Sequence, residues 1–362
     1  MDMLSRHQVW KGLRFGLALL ALVTAQAGVA QSDPSAAANY FLERPESSKY
    51  AVILTGPSVG EETLARFRQW SYTLHDVLIR DYGYTSDSIT LLMGDGSDAS
   101  PGSVRIDGAC DREQIQGQLA TLQARVKDGD QITLFLIGHG SGREDEAKFN
   151  IVGPDITGNE FADMLDAFDA QDMVIVNTTS ASYGFSASLS SEGRVVISAT
   201  RSPAERYDPM FSEYFIEALD GRNGDRDKNN RVSMLEAFNY AKQSVEQYYE
   251  EQGRLAAEHA SLDDNGDALF TLNPAPSDSD GRLAEIAYID VLRATDENLP
   301  PQALALKARM QELEREVFIL RGRKADFLAA DYWGRMEELL VDLARTTEQF
   351  NGLAGQTSNA AQ

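Results

Sequence analysis

An α/β fold with a mostly parallel central sheet is what this sequence predicts, and three observations predict it. Short, nearly continuous apolar runs at 50–54, 88–92, 132–137, 173–176 and 194–198 read as strands, because a strand covered on both faces has no polar side to alternate with. Between several of them lie segments whose apolar residues recur at three- and four-residue spacing, the period of an amphipathic helix. Strand and helix therefore alternate along the chain, which implies parallel strands with helices on both faces.

The chain of 362 residues is long enough for one large domain with an appendage. Its formal net charge of −23 argues against binding nucleic acid or an anionic membrane surface and favours cations. The first residues break that trend: Arg6, Lys11 and Arg14 precede an apolar run at 15–23 and the small residues Gly28-Val29-Ala30. This reads as a cleavable signal peptide over 1–30, with a secreted or periplasmic protein mature from about Gln31. The apolar run is short of the ~20 residues that span a bilayer. The residue directly after the cut site is Gln31 and not a cysteine, so no stable membrane or lipid anchor is expected. Cys110 is the single cysteine and cannot form an internal disulfide. Its polar surroundings, Asp107-Gly108-Ala109-Cys110-Asp111, place it at or near the surface.

Taken in order, 31–48 is rich in Ser, Ala and Pro and reads as a linker. The strand at 50–54 ends in Thr55-Gly56-Pro57. A helix follows through Leu64, Phe67, Trp70, Leu74, Val77 and Leu78 until Gly83 stops it, with His75 as a packed or solvent-facing residue. The second strand, 88–92, closes in the turn Met93-Gly94-Asp95-Gly96. Ile115, Leu119, Leu122 and Val126 then mark a helix. The third strand, 132–137, stops abruptly at Gly138-His139-Gly140. Open α/β sheets bind ligands at the carboxyl ends of their strands. A histidine between two glycines at such a tip suits a general base beside an oxyanion site. A helix at 158–168 leads to the strand 173–176, which runs into Asn177-Thr178-Thr179-Ser180-Ala181-Ser182-Tyr183-Gly184-Phe185. The last strand, 194–198, ends in Ala199-Thr200-Arg201-Ser202, and a helix follows at 210–219.

This pattern resembles the legumain and caspase group of cysteine peptidases. In that group an apolar strand ending in His-Gly is followed by a second apolar strand ending in a polar residue, a small residue and the nucleophilic cysteine. Here 134–137 precedes His139-Gly140, and 173–176 precedes Thr178-Thr179-Ser180, over a likeness that covers about 49–249. The resemblance implies a caspase/legumain-like three-layer sandwich over 49–272. It also implies that Ser180 stands where the family has its cysteine, with Gly140 and the Ser180 N–H as the oxyanion donors. A second register puts Ser182 at that position, with Gly184 two residues on; Ser180 is preferred because it keeps Phe185 in place.

Serine is a weak nucleophile until an oriented base takes its proton, and the base is usually oriented by a carboxylate. Glu144, Asp145 and Glu146 follow the histidine but read as a solvated edge, so the sequence offers no third member. Thr178 occupies the family's position two before the nucleophile. The preferred reading is a non-catalytic homologue that binds or scaffolds a protein or peptide ligand. The alternative is a hydrolase with Ser180 as nucleophile and His139 as base.

Residues 225–236 follow the EF-hand ligand pattern, with side-chain oxygens at Asp225, Asp227, Asn229, Ser233 and Glu236 and the Arg231 carbonyl at position seven. Position six, usually glycine, is Asn230, which tolerates positive φ. A structural Ca2+ is expected here. Asp263, Asn265 and Asp267 form a second acidic turn that reads equally as a cation site or as side chains closing their own turn, and His259 as a helix-end histidine. A linker at 273–280 precedes two amphipathic helical segments within 281–353, a hairpin that packs on itself or joins two copies of the chain.

Overall fold

The computed structural model describes residues 39–44, 46–292 and 299–360, without the side chains of 145 and 354–360. The expected signal peptide and its cut site lie outside these residues. No described helix is long and apolar enough to cross a membrane.

The centre is a six-stranded sheet in the order β2-β1-β3-β7-β8-β9. Its strands are β1 (Lys49–Thr55), β2 (Ile89–Met93), β3 (Gln131–Ile137), β7 (Asp172–Asn177), β8 (Arg194–Ser198) and β9 (Ser261–Asp263). All pairings are parallel except the last, where β9 runs antiparallel to β8 along the edge. Three residues of mixed polarity carry no strand signal, so β9 was invisible to periodicity. A small antiparallel sheet of β4 (Gly140–Ser141), β5 (Lys148–Phe149) and β6 (Ile156–Thr157) sits beyond the tip of β3.

Alternate side chains of each strand feed two different cores. Ala51, Ile53, Phe135, Ile137, Val174 and Val176 face α1 (Glu61–Tyr82), α5 (Phe211–Leu219) and α6 (Met234–Glu251). Val52, Leu54, Leu134, Leu136, Met173 and Ile175 face α2 (Arg112–Gln123), α3 (Gly158–Leu165) and α4 (Ser182–Ser188). Period-two alternation between two apolar layers is what made the strands read as unbroken apolar runs.

Several local expectations change. Cys110 is fully buried rather than near the surface, because its loop tucks under β2 and packs with Leu92 and Ile115. Burial pushes its thiol well up, which disfavours the thiolate. Within the segment read as a linker, Phe41 is buried in the first core and Glu43 pairs with Arg231. The stretch after Asp280 is not yet hairpin: α7 (Arg282–Ile286) and Ile289 pack into the same core.

The hairpin itself is α8 (Pro301–Gly322) and α9 (Ala329–Ala360), folded back on one another within the chain. Val317 and Leu320 meet Tyr332 and Met336 at one end, and Met310 meets Phe350 at the other. Phe318 joins the domain core and Arg321 pairs with Glu285, so α8 is the face that docks.

Candidate functional sites at the strand tips and the acidic loop

β3 and β7 are neighbours in register, Leu136 opposite Asn177, so their carboxyl ends bring His139 and Ser180 to one edge of the sheet. The chains approach closely there. A Cβ on Gly140 would lie 2.2 Å from the Ser180 carbonyl oxygen, so no larger residue fits without movement. The Gly140 N–H donates to Ser180 Oγ at 3.2 Å, and the Gly140 carbonyl is 3.5 Å from the same hydroxyl. The Ser180 hydroxyl makes its hydrogen bonds with Gly140 and none with the imidazole.

The imidazole has another partner. His139 Nδ1 lies 2.9 Å from Asp208 Oδ1, in the loop between β8 and α5, and its ring meets Phe67 edge-on at 5.2 Å between centroids. The His139 hydrogen bond holds the Asp208 carboxyl below the usual carboxylate range, against partial burial, and the Arg66 guanidinium lies 3.3 Å away. Asp208 is the orienting acid that the sequence reading lacked. It sits far from His139 along the chain, in a polar loop without periodicity. The one available signal was its place just past a strand tip, at the carboxyl edge of the sheet.

The other hydroxyls nearby are structural. Ser182 is fully buried, with Ser198 Oγ at 2.9 Å and Thr200 Oγ1 at 3.0 Å, which removes it from any surface a substrate could reach. Thr178 donates to the Leu136 carbonyl and accepts from Ser212. Ala181, between the two serines, takes a left-handed φ of 50° to start α4, and its N–H donates to the Glu205 carbonyl. Glu144 and Glu146 are exposed, as a solvated edge should be.

The acidic loop joins α5 to α6. Carboxylate oxygens of Asp225, Asp227 and Glu236 lie within 4.8 Å of one another, a cluster that can hold a metal ion. Asn230 has a φ of 67°, the left-handed conformation that glycine normally supplies at this position. Glu236 also closes α6: its Oε2 accepts from the Ser233 N–H at 2.9 Å while Ser233 Oγ accepts from the Glu236 N–H at 3.2 Å.

The loop folds around its acids, but not completely. Asp225 Oδ2 accepts from the Asn230 N–H at 3.0 Å, whereas Oδ1 is buried with no hydrogen-bond partner. Asp227 reaches solvent, yet partial desolvation and then the Glu236 and Asp225 charges push its carboxyl up to about 7. Asn229 Oδ1 accepts from the Arg231 N–H, and Ser233 Oγ donates to Glu236, so these two expected ligands are engaged within the loop. The Arg231 side chain turns inward to Glu43 and Asp290 under the Tyr288 ring, leaving only its backbone for the loop.

The second acidic turn is closed by its own side chains. Asp263 Oδ1 accepts from the Asn265 and Gly266 N–H groups, Asn265 from Asp267, and Asp267 from Leu269. Asp264 caps α7 through the Gly281 and Ala284 N–H groups. His259 pairs with Glu205 at 2.6 Å.

No family model and no curated protein matches this chain. Among solved structures it is similar to protein GSU0716 from Geobacter sulfurreducens, with a TM-score of 0.41 and 11% identity, over 67% of this chain and 100% of that one.

Proposed function

We propose that this is an exported, non-catalytic relative of the legumain and caspase peptidases that binds a protein or peptide ligand at the edge where β3 and β7 end. The supporting observation is the state of the Ser180 hydroxyl. It rests on the Gly140 N–H, the donor an oxyanion would need, and not on the imidazole that would have to take its proton. Attack on a carbonyl would first require that bond to break. Serine lacks the thiolate fraction that lets cysteine react without such rearrangement. In this reading the acidic loop holds Ca2+, since its donors are hard oxygens, and the ion pins α5 against α6.

A second reading, a serine hydrolase, is favoured by one contact, the 2.9 Å pairing of His139 with Asp208. A carboxylate there fixes the tautomer and leaves Nε2 as the base. Fluorophosphonate labelling of the purified chain separates the two. The binding reading expects no adduct on Ser180. An adduct that disappears in both Ser180→Ala and His139→Ala would sink it and install the hydrolase.

A further inference from the structure

We propose that Glu314 of α8 is part of the cation site of loop 225–236, so that a bound divalent cation clamps the C-terminal hairpin to the α/β domain. This rests on the reading that the loop binds a cation. The first argument is an unmet need inside the loop. Asp225 is only 9% exposed, and its Oδ1 has no partner, although each oxygen of a buried carboxylate ordinarily finds a donor or a cation.

The second argument is where Glu314 points. Its Oε1 accepts from Asn229 Nδ2 at 2.8 Å, and the same Nδ2 lies 3.3 Å from Asp227 Oδ2. One amide group therefore stands between a carboxylate of the loop and a carboxylate of the hairpin. Both border a cavity of about 490 Å³ that α9 closes with Leu340, Thr347, Glu348 and Asn351. Asn351 Nδ2 also donates to the Lys228 carbonyl at 2.9 Å, so both helices of the hairpin touch the loop.

The third argument is charge. Asp225, Asp227 and Glu236 gather within 4.8 Å of one another, Glu314 stands one amide group away, and the nearby cationic side chains already have protein partners. Arg231 is held by Glu43 and Asp290, and Lys228 Nζ donates to the Asp225 carbonyl. Three clustered carboxylates with a fourth beside them repel one another, and a divalent cation offsets that repulsion. Because the acids come from the loop and from α8, binding the ion and docking the hairpin are reciprocally linked.

The test uses the full chain, with Ca2+ binding followed by calorimetry and α9 followed by hydrogen exchange with Ca2+ or with EDTA. The expected result is slower exchange across α9 with Ca2+, and an affinity in Glu314→Gln lower by about tenfold, within the usual range of coupling between sites. Asn351→Ala, an exposed change that spares the carboxylates, should reduce the Ca2+-dependent protection of α9 even if Glu314→Gln folds poorly. Unchanged affinity in Glu314→Gln with no Ca2+ effect on α9 would overturn the clamp and leave the loop site standing. No Ca2+ binding by the wild-type chain would remove the loop reading and the clamp together.

Discussion

At the tips of β3 and β7 the hydroxyls of Thr178, Ser180 and Ser182 all have protein partners, whereas in the acidic loop one oxygen of Asp225 is buried with none. Both regions carry motifs associated with chemistry in other proteins. The tips satisfy these hydroxyls from within. The loop leaves a polar atom desolvated and gathers like charges, a cost that an added cation would relieve. The two motifs thus differ in internal hydrogen bonding, a difference that their residue patterns do not show.

The largest effect that would sharpen this contrast is cation stabilisation. At a hundredfold excess over its dissociation constant, Ca2+ should add about 2.7 kcal/mol to folding. Asp225→Asn should lose most of that gain while unfolding normally in EDTA, as measured by thermal denaturation with and without the ion. Equal melting temperatures in Ca2+ and EDTA for the wild type would break the comparison at the loop.

Next in size is Gly140→Ala. Its Cβ would press on the Ser180 carbonyl oxygen at 2.2 Å, so the two tips must part. Overpacking of this kind costs about 1–3 kcal/mol, and urea unfolding should show it. A neutral result would mean that the closeness of the tips does not hold the site.

The smallest effect concerns carboxyls that have backbone donors in place of an ion. Burial pushes Asp264 up to about 6 and Asp280 up to about 7, from an ordinary 3.8, with neighbouring acids adding to the shift. A raised carboxyl keeps its proton longer in the folded state. Its stabilising contribution is therefore complete below pH 3.8 and lost as pH climbs through 6 to 7. In saturating Ca2+ the melting temperature should fall by a few degrees over that window, about what 1 kcal/mol moves in a domain of this size. Asp280→Asn should flatten the fall. A profile just as steep in the variant would assign the pH dependence to other groups.

Much of the fold was legible because it rests on local apolar pattern. The runs that became β1, β2, β3, β7 and β8 are short, dense and bounded by glycine or polar turns, and the helices between them repeat at helical spacing. β9 and the packed segment around Phe41 were not legible, since a short edge strand and a single anchoring aromatic have no period to detect. The candidate sites divide in the same way. His139, Ser180 and the acids of the loop announce themselves by neighbours in sequence, whereas Asp208 and Glu314 are joined to their partners only by folding.

By itself the sequence determined that this is a strand-and-helix protein with a histidine and a serine at neighbouring strand ends and a cluster of acids in one loop. Periodicity and motif spacing are properties of adjacent residues. Only the tertiary structure decided that the serine leans on Gly140, that a distant aspartate orients the histidine, and that a tail helix brings a fourth carboxylate to the loop. Those outcomes depend on which side chains packing brings within about 3 Å of one another, the range in which hydrogen bonds form and which no local pattern encodes.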